Sequence, residues 1–205
     1  TQLFDIEEKD WSERLCKDYG ISMDILPEIA GAGDSLGTIK KEMADELGIS
    51  NDAEFIVGGA DTQIALKSVG MGVGDVAVVS GTTSPVATIT DYKYYDKQER
   101  CWTDSNLGGD TYQVETHPGV TGLNYQKMKA FLFPDTSYEE LEEEMAKQTE
   151  YLCTASFSSL YFSEKRSLKK GGFVMKAPFD ATMKPIHLIW AVVADIACSI
   201  YVQYR

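Results

Sequence analysis

The chain has 205 residues, 43% hydrophobic and 25% charged, an ordinary globular composition that excludes wholesale disorder and is long enough for one large domain or two lobes with separate cores. With 19 Lys+Arg against 32 Asp+Glu the formal net charge is −13, so nucleic acid and anionic membrane surfaces are repelled and are not expected as partners. A nucleotide stays admissible if backbone N–H groups, a bound cation or single lysines hold it locally.

Residues 1–6 read as a short strand, and Asp10 with the following WSERLCKDYG as a capped helix closed by Gly20. SMDILPEI gives a helical turn ending at Pro27, LGTI a strand, and residues 40–47 a helix stopped by Gly48. AEFIVGG reads as a buried strand. Residues 61–68 follow as a helix with Ile64, Ala65 and Leu66 on its apolar face, ending at the glycines of GMGVG. Two β-branched runs, 76–79 and 86–90, flank SGTTSP, whose small and hydroxylic residues are turn chemistry, so a hairpin is expected.

DYKYYDKQERCWTDSNLGGDTY is a variable stretch, YQVET a strand, and HPGVTGLNYQKMKAFLF a two-glycine loop feeding an amphipathic helix. In SYEELEEEMAKQ, Ser137 and Glu140 have capping-box spacing at the start of an acidic surface helix. SLYF and GGFVM read as short strands around the basic turn EKRSLKK, and a last helix begins near Pro185. This mixture makes the class α/β or α+β, and the hairpin argues against a purely parallel doubly wound sheet.

Cys16, Cys101, Cys153 and Cys198 stand far apart with no CxxC pair and no histidine cluster. They are expected as buried free thiols of a reducing cytosol rather than as zinc ligands or a disulfide frame. No signal peptide or lipid motif is visible at the N-terminus, and a cytoplasmic location is expected. Residues 186–202 contain Asp195 and are too short and interrupted to span a bilayer, so a buried helix is expected. The chain starts without methionine and stops on a helix, which marks it as an expected fragment. His117 before Pro118 reads as a loop residue, Met43, Met71, Met128 and Met145 as packing residues, and the run from Glu139 to Glu144 as a solvated helix face.

The chemically informative stretch is FIVGGADTQIAL, where an apolar run passes through Gly58, Gly59 and Ala60 to Asp61. The plain reading is a tight turn with Asp61 capping the next helix. The other reading starts from SGTTS, about twenty residues on, whose amides and hydroxyls suit phosphate oxygens. A carboxylate near a phosphate site points to phosphoryl transfer, in which one carboxylate takes the acceptor's hydroxyl proton and the protein mainly positions reactants. Glycines before that base clear space for acceptor and phosphate to crowd against the backbone.

The run EFIVGGADTQIALKSVGMGVGDVAVVSGTTSPVATIT resembles the junction of the two lobes in the FGGY family of carbohydrate kinases, and the sequence before it, through GI, LP and GT, resembles the end of that family's first lobe. HPGVTGLNYQKMKAFL and HLIWAVVADIACSI resemble later helices of the second lobe. The resemblance implies an RNase H-like, actin-type ATPase fold with substrates in a cleft between lobes. Residues 1–57 would belong to the first lobe and 58–205 to the second. It implies Asp61 as catalytic base, Thr62 and Gln63 beside the sugar, with plain helix surface the alternative for Gln63, and Gly81, Thr82 and Thr83 as the phosphate-binding hairpin. Gly119 and Gly122 would lie near the nucleotide. ATP and Mg²⁺ are the implied cofactors, and an adenine nucleotide and a carbohydrate the implied ligands. A homodimer is among the assemblies left open.

Three departures stand out. Ser84-Pro85 replaces a common glycine and would stiffen the hairpin. Ser163-Glu164-Lys165-Arg166 stands in place of the usual Gly-Glu-Arg, so no role is carried over to Glu164 or Arg166. The family's Asp-x-Gly-Thr phosphate loop and its adenine-binding glycines are absent from these residues. The leading expectation is a carbohydrate kinase acting on a pentulose or on a furanone-derived signal such as autoinducer-2, with little turnover by these residues alone. The alternative is an actin-fold nucleotide binder or regulator without catalysis. A dinucleotide-dependent oxidoreductase is disfavoured, because GMGVGD has the wrong spacing for GxGxxG and leads into a strand.

Overall fold

The computed structural model describes residues 2–158 and 169–205. Strands β1 (Phe4–Asp5) and β2 (Asp10–Trp11) pair antiparallel with Phe4 opposite Trp11. The two rings meet edge to face at 6.3 Å, and the Trp11 indole N–H donates to the Pro27 carbonyl at 2.7 Å. Helix α1 (Glu13–Tyr19) starts later than Asp10, which the strand takes up. Its cap is Ser12, whose Oγ accepts from the Leu15 N–H, and it closes at Gly20 in the left-handed region. A single 3-10 turn, Met23–Ile25, precedes Pro27.

β3 (Ser35–Thr38) and β4 (Glu54–Ile56) form a two-stranded antiparallel ribbon around α2 (Lys41–Leu47), which ends at Gly48 as expected. The expected burial of β4 is not found: Phe55 is 59% and Ile56 56% exposed. Among the described residues β4 pairs with β3 alone, and a two-stranded ribbon supplies no second layer to cover an apolar face. α3 (Asp61–Ser68) has the expected bounds, but only Leu66 of its apolar residues is buried.

A four-stranded sheet of order β5-β6-β8-β7 comprises β5 (Val76–Val78), β6 (Val86–Thr90), β7 (Trp102–Ser105) and β8 (Tyr112–Thr116). The expected hairpin is β5 and β6, adjacent in the sheet and tied at its turn by the Val79 N–H on the Pro85 carbonyl at 3.0 Å. β7 lies inside the stretch left without an element, because Trp-Thr-Asp-Ser carries no apolar alternation.

The chain continues with α4 (Gly122–Leu132), α5 (Tyr138–Ala146), the antiparallel pair β9 (Cys153–Ser156) and β10 (Gly172–Met175), and α6 (Pro185–Tyr204). β10 matches the expected GGFVM strand, whereas SLYF and most of EKRSLKK lie outside the described residues. α5 carries the full capping box: Ser137 Oγ accepts from the Glu140 N–H, and the Glu140 carboxylate accepts from the Ser137 N–H. Its other glutamates are exposed and Leu141 is wholly buried.

The chain divides into two compact units, residues 1–75 with 88–114, and 76–87 with 115–205. The second unit has its core where α4, α5 and α6 meet: Leu141, Ile186 and Ile189, with Tyr125, Met128, Leu132, Phe133 and Met145 packed around them. Met43, by contrast, is 43% exposed. At 20 residues α6 is longer than the segment expected, and by length and composition alone it would cross a bilayer. The burial expected of it is found only in part: Ile186, His187, Ile189, Ala191 and Val192 are buried and no later residue of the helix is, while Asp195 Oδ2, just past its midpoint, accepts from the Phe157 N–H, the Ser158 N–H and the Ser158 hydroxyl. All four cysteines are free, but only Cys16 and Cys153 are buried, Cys101 being half-buried and Cys198 exposed.

Leu141→Ala is expected to destabilise the second unit by about 2–5 kcal/mol through lost burial and a residual cavity, and Ser137→Ala by about 0.5–2 kcal/mol through loss of the cap. Urea unfolding of each variant checks both, and the order of the two effects is the diagnostic.

Candidate functional site

In the first unit the chain leaves β4 under tight backbone control. The Val57 N–H donates to the Asp34 carbonyl at 2.9 Å and the Gly33 N–H to the Val57 carbonyl at 2.8 Å. Gly58 and Gly59 follow, and a Cβ at Gly59 would lie 2.3 Å from Leu107 Cδ2, so only glycine fits there without displacing the leucine.

Ala60 takes the cap position of α3 and has no side-chain oxygen to offer. Asp61 is therefore the first helical residue, not the cap that the plain reading assigned to it. It is exposed, with Oδ1 accepting from the Thr62 N–H at 2.7 Å, and its charge lies at the favourable end of the helix dipole. Thr62 is half-buried. Gln63 turns inward and donates Nε2–H to the Ser105 carbonyl at 2.8 Å. Gly58, Gly59 and Gln63 line a cavity of about 500 Å³.

In the second unit the structure brings together all five residues expected at the nucleotide. The turn closes with the Gly81 N–H on the Thr83 carbonyl at 3.0 Å. The Thr82 carbonyl then accepts from the N–H of Thr121 at 3.1 Å and of Leu123 at 3.3 Å, and Thr83 bridges Val120 antiparallel. Gly119 sits in the left-handed region at φ +102, which glycine adopts without strain. Gly122 passes so close that a Cβ there would lie 2.2 Å from the Gly81 carbonyl oxygen.

The Ser84 and Thr121 hydroxyls, both buried, share a 2.7 Å hydrogen bond beneath this seam. Pro85 is buried behind the turn and, through its carbonyl, helps to close it. The exposed outer face keeps Gly81 and the Thr82 side chain, the small, hydroxylic surface that a phosphate oxygen can approach.

Sequence reasoning missed Ser84 and Thr121 as partners, since they stand 37 positions apart. It also missed the turn after β7, although Asn106-Leu107-Gly108-Gly109 carries a hairpin signal. His117 does lie in the loop between β8 and α4, its Nε2 2.7 Å from Glu115 Oε1. Glu164 and Arg166 fall outside the described residues. Among the described residues no group of three or more His, Cys, Asp or Glu could hold a metal ion.

Residues 1–68 match the N-terminal domain of the FGGY family of carbohydrate kinases. The protein YoaC of Bacillus subtilis (strain 168), which bears a sugar kinase name, is 42% identical over 202 residues, covering 98% of this chain and 41% of YoaC. Among solved structures, ligand-bound xylulose kinase from Lactobacillus acidophilus superposes with TM-score 0.81 at 18% identity, over 100% of this chain and 42% of that one. Plasmodium falciparum glycerol kinase with ADP gives TM-score 0.78 at 22% identity, over 98% and 40%. The fold is the expected mixed α/β, actin-like ATPase type, and the chain spans about two fifths of the length of these relatives.

The seam makes two glycines behave differently. Gly122→Ala forces its methyl into the Gly81 carbonyl and is expected to destabilise by about 1–3 kcal/mol. At Gly81 a Cβ meets the Thr83 carbonyl oxygen at an ordinary 3.6 Å, so Gly81→Ala should melt within a few degrees of the parent. Thermal unfolding of the pair checks the contrast.

Proposed function

We propose, from a chain whose first 68 residues match the N-terminal domain of the FGGY carbohydrate kinases and whose likeness to a sugar kinase relative runs over 98% of its length, that the protein transfers the γ-phosphoryl group of ATP to a hydroxyl of a sugar. The observation that carries this reading is Asp61: an exposed carboxylate at the start of α3, released from capping duty by Ala60 and preceded by two glycines.

Asp61 accepts a hydrogen bond from the acceptor hydroxyl and takes its proton as that oxygen attacks the γ-phosphorus and the bond to the β,γ-bridging oxygen breaks, releasing ADP. Gly81, Thr82 and Thr83, braced by Gly119 and Gly122, receive phosphate oxygens on a turn that is already rigid before ligand arrives. Thr62 and Gln63 flank the acceptor. Mg²⁺, when bound, supplies charge neutralisation at the phosphates, and oxygens of the nucleotide and water are its natural ligands there. The solved relative holding ADP supports the choice of nucleotide. The lobe boundary at 57/58, a cytoplasmic location and a pentulose-like acceptor belong to the same proposal.

Asp61→Asn in the full-length protein is expected to lower kcat by ~10²–10⁴ while leaving the Kd for ADP unchanged, read by a coupled ADP-release assay and by calorimetry. Undiminished turnover in that variant would remove Asp61 as base, and a nucleotide binder without catalysis would show affinity with no turnover even in the parent. Residues 1–205 expressed alone should turn over little or nothing in the same assay, and brisk phosphorylation by them would contradict that expectation.

A further inference from the structure

Helix α4 starts without a side-chain cap of its own, because the hydroxyl of its cap residue Thr121 is bonded to Ser84. The segment that enters this helix, residues 119–122, is also the one that braces Gly81, Thr82 and Thr83. Its position is therefore left to a residue further along, and Asn124 takes the task. The Asn124 N–H donates to the Thr121 carbonyl at 2.9 Å, and Nδ2 donates to the Val120 carbonyl at 2.7 Å. Val120 is the residue that bridges Thr83.

Nδ2 of Asn124 also donates to the Phe157 carbonyl at 3.1 Å, just past the end of β9 and 33 positions away. Both partners are carbonyls, which only accept, so the amide must present its NH₂ end to them. Phe157 is itself held. Its N–H, the Ser158 N–H and the Ser158 hydroxyl donate to Asp195 Oδ2 at 2.9, 2.9 and 3.0 Å, and its ring meets Phe173 of β10 edge to face at 5.1 Å.

We infer that Asn124 is a positioning residue for the phosphate-binding turn, and that Asp195 acts on that turn through it. This role rests on the kinase reading above and deepens it by naming what keeps the turn in place.

The peptide group between Phe157 and Ser158 carries the coupling. Its N–H faces the Asp195 carboxylate and its carbonyl faces the Asn124 amide, so the charge on one side strengthens the acceptor on the other. Asn124 is half-buried and lines a cavity of about 150 Å³ with Lys127, Met128 and Val192. An amide beside open space has other rotamers within reach, and the Phe157 carbonyl selects the one that keeps Nδ2 on Val120. Phosphate oxygens are best met by donors already in place. Without Asn124 the segment that carries the Thr83 bridge gains freedom, and that freedom must be lost again when phosphate binds.

The test uses the full-length protein, with ADP and adenosine as calorimetric probes and ATP with D-xylulose for turnover. Asn124→Ala is expected to weaken ADP about tenfold and to leave adenosine, which has no phosphate to place, within about twofold. Asn124→Asp keeps the shape but sets a carboxylate against two carbonyls, and it should weaken ADP more than Asn124→Ala does. Asp195→Ala should weaken ADP about fivefold. Asp195→Asn, which keeps an acceptor oxygen without the charge, should cost about threefold and replaces Asp195→Ala should that variant fail to fold. In the Asn124→Ala background either Asp195 substitution should cost less than a further twofold, because no amide is left for it to hold.

Equal losses for ADP and adenosine overturn the positioning role, as does unchanged ADP affinity in both Asn124 variants. If the parent then phosphorylates D-xylulose and Asp61→Asn does not, the kinase reading stands without it. Full additivity of the Asn124 and Asp195 effects overturns the link through Phe157. A selective loss of ADP affinity in a protein whose parent does not turn over D-xylulose supports the positioning role and tells against the kinase reading. Absence of ADP binding by the parent overturns both.

Discussion

The structure around the expected nucleotide turn depends on one close backbone approach, in which Gly122 passes against the Gly81 carbonyl while the Thr82 carbonyl accepts two N–H groups from the strand of chain entering α4. No side chain can sit in that seam, because the space is filled by peptide groups. The buried hydroxyl pair of Ser84 and Thr121 satisfies the polar atoms that the approach shuts away from water. A turn stitched in this way has little freedom left to lose when a ligand arrives, which is the condition for donors to act without reorganisation.

The first unit uses the same device in another form. Gly59 lies under Leu107, where a Cβ would have to push the leucine side chain aside, and Gln63 reaches across to the Ser105 carbonyl. The end of β4, the start of α3 and the turn after β7 are thus held to one another by a missing side chain and an amide hydrogen bond. Asp61 is left facing solvent on a helix whose cap needs nothing from it. In a chain with a net charge of −13, any anionic ligand would have to be held by local donors rather than drawn in by long-range attraction.

Much of this was legible before any coordinates. Gly20 and Gly48 announced helix ends, Ser137 and Glu140 announced a capping box, and the hydroxylic turn between β5 and β6 announced itself by composition, because each of these signals acts within a few residues. Asp61 and the glycines before it were conspicuous for the same reason. The strand of Trp102–Ser105 was not legible, its residues being polar and its identity as a strand conferred by its neighbour β8. The burial of AEFIVGG was misjudged because an apolar run states a preference for cover without stating whether another layer supplies it.

By itself the sequence determined most local conformations: where helices stop and where the backbone must bend through glycine. Those follow from φ/ψ preferences and hydrogen bonds spanning a handful of residues. Only the tertiary structure decided which distant positions meet: Ser84 with Thr121, Gly81 with Gly122, Gly59 with Leu107, and Lys9 with the turn at Gly109. Such contacts are fixed by excluded volume and by the pairing of buried polar groups across tens of residues, and neither quantity is a property of any short stretch of chain.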